Sequence, residues 1–248
     1  MRKVNLVPMA GQGQRFIDAG YNTPKPLIDI DGIPMIINAA KSLPKADKWI
    51  FVCRKEHITN FNIDEVLINY FPNSIVLNVD QLTEGQVMTC LIAENHIRKN
   101  DQLVIGACDN SMNYKIKNHN KLINQHDAII WTFRNNDAVL KNPEMYGWVI
   151  MNQEKKVTGI SCKTAISDRP QNDHAIVGAF TFKKASTFIK YARLIITKNR
   201  KINNEFYLDI LLDECVKNHL KVGVFEVDDY YCWGTPADLE KYKGKINE

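Results

Sequence analysis

Short apolar runs rich in β-branched residues alternate with amphipathic stretches along the first half of the chain. Such an alternation is typical of an α/β sheet whose strands are joined by crossover helices. The predicted strands cover residues 4–8, 49–54, 74–79, 103–107 and 128–133. Apolar residues recur at helical spacing between the third and fourth strands, which predicts a helix over residues 85–98. We therefore expect βαβ units in residues 1–133.

The pattern changes after residue 133, where short strands follow one another with little helix between them. Strands are predicted over residues 148–151, 156–162 and 176–182, then helices over 185–197 and 206–218, and a strand over 222–227. A last helix is predicted to start at Thr235, because Thr can cap it, Pro236 suits its first turn and Asp238 faces its dipole. No repeat or linker interrupts the chain, so a single domain is expected.

The amino-acid composition predicts a folded domain and argues against a nucleic-acid or membrane partner. The chain has 248 residues, of which 45% are hydrophobic and 24% are charged, as in a folded domain with a real core. The net charge of +4 is spread along the chain, so no nucleic-acid partner is expected. No apolar run approaches the roughly 20 residues of a membrane span, and no signal-peptide pattern follows Arg2 and Lys3. These features predict a cytoplasmic protein without a membrane partner.

The most informative segment follows the first predicted strand, where Gly11 and Gly13 form a Gly-x-Gly loop. Glycines let backbone N–H groups approach an anion closely, and a phosphate is the natural ligand. A dinucleotide-binding fingerprint would need glycine at Phe16 and an acidic residue ending the second strand, where Cys53 and Arg54 stand. The Gly-Lys-Ser/Thr tripeptide of a Walker A loop does not occur in the sequence.

Two cations accompany this loop. Arg15 directly follows it, and Lys25 is held between Pro24 and Pro26. A guanidinium can clamp phosphate oxygens in a bidentate way, and an ammonium adds a compact charge. Transfer at a nucleotide phosphate needs such charges around the phosphoryl oxygens. The alternative is an ordinary strand-to-helix turn with two solvated cations.

Asp109 follows the fourth predicted strand, at the carboxyl edge where open α/β sheets bind ligands. A carboxylate at this edge can hold Mg²⁺, which binds through one or two protein ligands and phosphate oxygens. The alternative is an Asx turn beside Asn110.

Together these motifs resemble the sugar-phosphate nucleotidylyltransferases, most closely the small bacterial cytidylyltransferase-like members. The resemblance covers nearly the whole chain and rests on segments in the family's order: 8–16, 23–29, 32–35, 82–85, 108–110, 163, 177–178, 204–207 and 233–239. It implies a Rossmann-like mixed sheet flanked by helices, of the nucleotide-diphospho-sugar transferase type. It also implies Mg²⁺-dependent attack of a phosphorylated substrate on the α-phosphate of an NTP, with release of pyrophosphate.

The resemblance also implies roles for individual residues. Lys25 and Arg15 would be catalytic, with Lys25 stabilising the charged α-phosphate and Arg15 meeting the triphosphate, and Asp109 would bind the metal. The nucleotide would lie on the first half of the chain, and the acceptor on the second half, residues 134–248. The implied nucleotide-binding residues are Met9, Ala10, Gly11, Gly13, Gln81, Glu84 and Gly85, and the implied acceptor-binding residues are Lys163, Gly178 and Glu205.

One position departs from the family pattern. Many relatives carry a second metal-binding Asp just before the C-terminal Gly-Thr, and here Cys232 stands in that place. A thiol is too soft a ligand for Mg²⁺. Either Asp228 or Asp229 replaces it, with Asp229 taken as the candidate second ligand, or Asp109 and phosphate oxygens hold the ion alone.

The resemblance favours CTP as the nucleotide and an activated precursor of capsule or another surface polysaccharide as the product. The acceptor is left open between a sugar phosphate, an alcohol phosphate such as phosphocholine, and phosphoglutamine. Two alternatives stay open: a glycosyltransferase of the same fold, which normally carries an Asp-x-Asp motif, and a non-catalytic nucleotide sensor. Relatives are often dimers or tetramers, so a homodimer is implied.

Overall fold

A computed structural model describes residues 1–246. Within this range a nine-stranded mixed sheet runs through the molecule, accompanied by two small two-stranded sheets. The strands are β1 (Lys3–Pro8), β2 (Asp29–Ile30), β3 (Ile33–Pro34), β4 (Lys48–Arg54), β5 (Ile75–Val79), β6 (Gln102–Ile105), β7 (Asn110–Asn113), β8 (Ala128–Phe133), β9 (Gly147–Met151), β10 (Val157–Cys162), β11 (His174–Phe182), β12 (Val222–Glu226) and β13 (Asp229–Cys232).

The helices lie against both faces of the large sheet. They are α1 (Gln14–Asp18), α2 (Met35–Lys41), α3 (Lys55–Phe61), α4 (Ile63–Tyr70), α5 (Gln86–Leu91), α6 (Ile116–Gln125), α7 (Ala138–Lys141), α8 (Ala185–Thr197), α9 (Leu208–Lys217) and α10 (Pro236–Ile246). Alternate residues of the central strands point to opposite faces. Leu6 belongs to the hydrophobic cluster that includes α8 and α9, whereas Val7 belongs to the cluster that includes α2.

The large sheet combines a parallel half and a mixed half. Strands β5, β4, β1 and β6 are parallel neighbours, and β11 then pairs antiparallel with β6. On its other side β11 pairs with β8, and β8 with β12, while β9 and β10 extend from the first residues of β11. Because the parallel strands share a direction, their carboxyl ends form one edge for ligands.

Strand β11 bends where it changes partners. Its pairing with β8 shifts between Ile176 and Phe180, where three intervening residues of β11 stand against one of β8. Gly178 lies in this irregular stretch with a φ of 91°, a conformation that favours glycine. A methyl group there would contact Ala107 at 3.4 Å, so the bend brings β11 against the loop after β6.

The predicted fold class is confirmed, and its long apolar elements lie close to their predicted bounds. The helix predicted over residues 85–98 is shorter: α5 ends at Leu91, and a 3-10 turn at Glu94–His96 follows. Several elements were not predicted, among them α2, α3, α4, α6 and the pair β7–β13. The expected cap of the last helix is present, since Thr235 Oγ1 accepts a hydrogen bond from the Asp238 N–H at 3.1 Å.

Across residues 1–246, none of the helices combines the length and the apolar composition that a membrane crossing needs.

Candidate active site

Two adjoining clefts open at the carboxyl ends of β1 and β6. The first has a volume of ≈ 370 Å³ and the second ≈ 230 Å³. They share five lining residues, which are Lys25, Gln86, Ala107, Asp109 and Gly178. Two ligands bound in these clefts would therefore meet at the Lys25 and Asp109 side chains.

The glycine loop after β1 forms one wall of the first cleft. Met9, Ala10, Gly11 and Gly13, which were predicted to bind the nucleotide, all line this one cleft. The loop is fixed at its start by the Met9 N–H, which donates to the Val52 carbonyl of β4 at 2.8 Å. It therefore presents backbone groups to the cleft from a rigid strand end.

The opposite wall of the first cleft depends on Gly85, which directly precedes α5. Its φ of 105° favours glycine, and a Cβ there would lie only 2.7 Å from the Phe206 nitrogen. This close approach is held by backbone hydrogen bonds from Phe206 N–H to Glu84 O at 2.8 Å and from Val87 N–H to Phe206 O at 3.1 Å. The segment before α9 is thus joined to the start of α5.

The second cleft lies between β9, β11 and the start of α9. Arg15 and Lys163 line it together with Gly178, and its remaining wall includes Tyr146, Tyr207 and Asp209. Arg15, expected at the nucleotide triphosphate, thus lies with Lys163 in the second cleft and does not line the first. Their charges suit the phosphate of a small ligand.

Lys163 is held in a defined position. It follows β10 with a φ of 62°, which is uncommon for a residue with a Cβ. Its backbone N–H donates to Tyr146 O at 3.1 Å, and its Nζ donates to Met145 O at 2.5 Å. The ammonium also lies 5.3 Å from the centre of the Tyr207 ring. These contacts direct the charge toward the second cleft.

Lys25 and Asp109 form an ion pair where the clefts meet. Lys25 Nζ donates to Asp109 Oδ2 at 2.5 Å and to the Gly234 carbonyl at 3.2 Å. The Trp233 N–H donates to the Asp109 carbonyl at 2.8 Å, which attaches the C-terminal segment to the end of β6. Three distant parts of the chain thus build this junction.

The ion pair keeps Lys25 charged. Burial alone would lower the pKa of the Lys25 ammonium, but the charge of Asp109 opposes it, and the pKa lies above its ordinary value. The ammonium is therefore protonated at neutral pH. Burial raises the pKa of both neighbouring thiols, Cys108 and Cys232, to about 12, so they are uncharged there.

Three further predicted residues lie elsewhere than expected. Gln81 and Glu84 are exposed and do not line the first cleft, although their neighbours Thr83, Gly85 and Gln86 do. The Glu84 carboxylate is held away from the cleft by an ion pair with Lys201 at 2.9 Å. Glu205, expected on the acceptor side, lines the first cleft, because its neighbour Phe206 is joined to α5.

The expectation that Asp229 is a second metal ligand is also corrected. Asp229 is exposed on β13, and its carboxylate accepts a hydrogen bond from Asn113 at 3.2 Å. Asp228 is exposed as well. The register of β13 against β7 pairs Cys232 with Asn110, directly after Asp109. Cys232 therefore lies at the junction, and neither aspartate does.

The donor set at the junction fits a magnesium ion only in part. Among residues 1–246, no group of three or more His, Cys, Asp or Glu side chains is arranged to hold a metal. Asp109 offers one hard carboxylate that is 29% exposed, while the Asp238 carboxylate is engaged with Thr235. One carboxylate suffices for Mg²⁺ when phosphate oxygens and water complete its coordination. The residues thus fit an ion that arrives with its phosphate ligand.

Gln86 was missed by the sequence reasoning, although it lines both clefts. Its position as the first residue of a helix that follows a glycine was a usable signal, since helix N-termini bind anions. Asp209 was missed too, and its signal is the apolar residues around it, Leu208, Ile210, Leu211 and Leu212, which indicate a buried helix start.

The fold and the paired clefts define an α/β protein with two adjoining ligand-sized clefts, and comparisons with known proteins identify its family. The family described as "Nucleotidyl transferase" matches residues 5–246. A curated relative, the bifunctional protein GlmU of Methanococcus aeolicus, is 24% identical over 239 residues, or 94% of this chain and 52% of that protein. The chain thus spans about half the length of this relative. It belongs to the nucleotidyl transferase family.

Solved structures share the fold at low sequence identity. The nucleoside-diphosphate-sugar pyrophosphorylase from Vibrio cholerae RC9 aligns with a TM-score of 0.77 at 16% identity, covering 98% of this chain and 100% of that one. The inositol-1-phosphate CTP transferase from T. maritima aligns with a TM-score of 0.73 at 16% identity, covering 100% and 97%. The expected nucleotide-diphospho-sugar transferase architecture is thereby confirmed.

Proposed function

We propose that this chain joins a nucleoside triphosphate to a phosphorylated small-molecule acceptor and releases pyrophosphate. The observation that carries this proposal is the sharing of Lys25 and Asp109 by two clefts of the size of small-molecule sites. A transferase with two substrates needs both to reach one reacting atom. The glycine loop would hold the nucleotide in the first cleft, and Lys163 and Arg15 would hold the acceptor phosphate in the second.

In the proposed reaction, negative charge develops on phosphate oxygens that would lie beside the cations of the two clefts. An acceptor phosphate oxygen attacks the α-phosphorus, a new P–O bond forms, the bond to the β-phosphate breaks, and pyrophosphate leaves with the electron pair. Lys25, protonated at the junction, would stabilise the charge on the α-phosphoryl oxygens. Asp109 would hold Mg²⁺, which supplies further charge neutralisation when it is bound.

CTP is the proposed nucleotide. The support is the resemblance of residues 83–85 and 204–207 to cytidylyltransferase segments, together with the fold shared with an inositol-1-phosphate CTP transferase. The proposed product is an activated precursor for capsule or surface polysaccharide. A cytoplasmic location and a homodimer stay predictions, and light scattering of the purified protein would measure its oligomeric state.

A glycosyltransferase of the same fold is not favoured by the residues after Asp109. An Asp-x-Asp motif would place its second carboxylate at Ser111, which here pairs with Tyr231 in the small β7–β13 sheet. The amide of the intervening Asn110 is buried and donates to Val177 O at 2.9 Å. Asp109 is therefore without a second acid beside it in the chain.

The test is a pyrophosphate-release screen of four NTPs against a panel of phosphorylated acceptors. We expect release with CTP and Mg²⁺ above that with the other nucleotides. Absence of release with every pair would contradict catalysis and favour the nucleotide sensor, whereas transfer from a nucleotide sugar would favour the glycosyltransferase.

The metal role of Asp109 has a matched control in the same screen. Asp109→Asn should shift the Mg²⁺ concentration that supports half-maximal release upward by about 10-fold or more, the usual cost of altering a metal site. Asp229→Asn removes an exposed carboxylate outside both clefts and should leave the titration unchanged. An unchanged titration in Asp109→Asn would remove this residue from the metal site.

A further inference from the structure

Asp209 is a buried acid that the proposed reaction leaves unused. It lies in the first turn of α9, is 8% exposed, and lines the second cleft. Within residues 1–246 it forms no ion pair with a lysine, arginine or histidine. The donors that face it are the Cys162 thiol and its own backbone N–H.

The next acidic residue along α9 has hydrogen-bond donors for both of its carboxylate oxygens. Asp213, one turn further, accepts hydrogen bonds from Lys217 at 2.6 Å, Arg200 at 2.9 Å and the Ile160 N–H at 3.3 Å. A buried carboxylate without such partners is costly, because it loses hydration without compensation. A buried carboxylate that faces a cleft and lacks such compensating partners is typical of a binding site.

The surroundings keep the Asp209 carboxylate free for a ligand. Gly147 of β9 leaves room for the Asp209 carboxylate, because a Cβ at that position would overlap it. Tyr146 and Tyr207 bring aromatic rings to the same cleft. Lys163 adds the cation that would hold the acceptor phosphate. Burial raises the pKa of Asp209 to about 6, and Lys163 partly opposes this, so the group carries a charge at neutral pH.

The second cleft therefore holds charges of both signs, with cations for a phosphate and one buried anion. We propose that Asp209 binds a positively charged nitrogen group of the acceptor, so that the acceptor class is a phosphate that also bears a protonated amine. A hydroxyl group would donate one hydrogen bond but would bring no positive charge to the buried carboxylate. The assignment of the cleft to the acceptor rests on the proposed function.

Two phosphates that differ only in this group provide the test. Calorimetric titration of the full chain with 2-aminoethyl phosphate and with 2-hydroxyethyl phosphate compares an ammonium with a hydroxyl at the same position. We expect the amine to bind about 10- to 100-fold more tightly, the scale of one charge-assisted hydrogen bond. Equal binding, including no measurable binding of either compound, or tighter binding of the hydroxyl compound, would overturn the inference.

Variants locate the effect. Asp209→Asn keeps the shape of the side chain, and we expect it to reduce the preference for the amine to less than about 3-fold, since most of the charge-assisted interaction is lost. Asp213→Asn is the matched control, because it removes a buried carboxylate from the same helix outside the clefts, and it should retain the preference. A preference that persists in Asp209→Asn would place the amine elsewhere and contradict the assignment.

Pyrophosphate release measured in parallel separates this inference from the proposed function. A preference for the amine that depends on Asp209, without pyrophosphate release from any nucleotide, would refute the transferase proposal and leave the binding site in place. Release with acceptors that carry no amine, at rates unaffected by Asp209→Asn, would refute the inference and leave the transferase proposal in place.

Discussion

Replacing Lys25 with alanine should separate activity from stability. The ammonium lies at the junction of the two clefts, within 2.5 Å of Asp109 Oδ2, where charge would develop on the α-phosphoryl oxygens. Removal of one preorganised charge from such a position costs about 10²- to 10³-fold in kcat, or roughly 2.7–4 kcal/mol of transition-state stabilisation.

The same substitution should cost little folding free energy. The Lys25 and Asp109 side chains are 15% and 29% exposed, so water still reaches the carboxylate that is left behind. The cost should fall between that of an exposed pair and that of a fully buried one, about 1–2 kcal/mol. For a chain of this size, that loss lowers Tm by only about 2–8 °C.

The assay pairs pyrophosphate release with thermal unfolding, and Lys198→Ala serves as the matched control. Lys198 forms an ion pair of the same length, 2.5 Å, with Glu214, outside both clefts. We expect a similar small loss of Tm and an unchanged kcat. A kcat for Lys25→Ala within about threefold of the parent value would refute the argument from preorganised charge.

Three further substitutions test two glycines of the first cleft and one buried histidine. Gly85→Ala should destabilise the chain by about 2–4 kcal/mol, because it combines a strained positive φ with a contact of 2.7 Å to the Phe206 nitrogen. Gly11→Ala meets no atom within 4 Å, so it should change Tm little while weakening nucleotide affinity in a binding titration. Burial lowers the pKa of His119 to about 4, so the unfolded chain takes up a proton near pH 6.5 before the folded one does. Stability should therefore fall from pH 6.5 toward 4 by up to about 1.4 kcal/mol per unit, and Tm measurements on His119→Gln should show a shallower fall.

The strands of the large sheet could be predicted because both of their faces are buried. A strand such as β8, Ala128–Phe133, is buried at every position and reads as a continuous apolar run. Helix α6 is different, since only His119 and Ile123 are buried in it, and ten mostly polar residues leave a weak pattern. Helices α3 and α4 are separated at Asn62, whose left-handed conformation interrupts the period.

The candidate site could be predicted where its chemistry is local. The glycine loop, Lys25 and Asp109 stand out in the sequence, and the structure brings them to one edge. The pairing of β7 with β13 joins residues more than a hundred positions apart, and no local pattern indicates it. The family resemblance put Cys232 in the place of the second metal-binding Asp, but no local pattern could show that Asp229 lies away from Asp109.

The attachment of Trp233 and Gly234 to Asp109 and Lys25 has a consequence for how this protein is made. On the ribosome the parallel strands emerge first, yet the junction of the two clefts stays open until residues 229–234 have left the exit tunnel. A nascent chain that stalls before this point would have its glycine loop but not the Trp233 and Gly234 contacts that complete the junction. The proposed activity would then arise only after most of the sheet has had time to form.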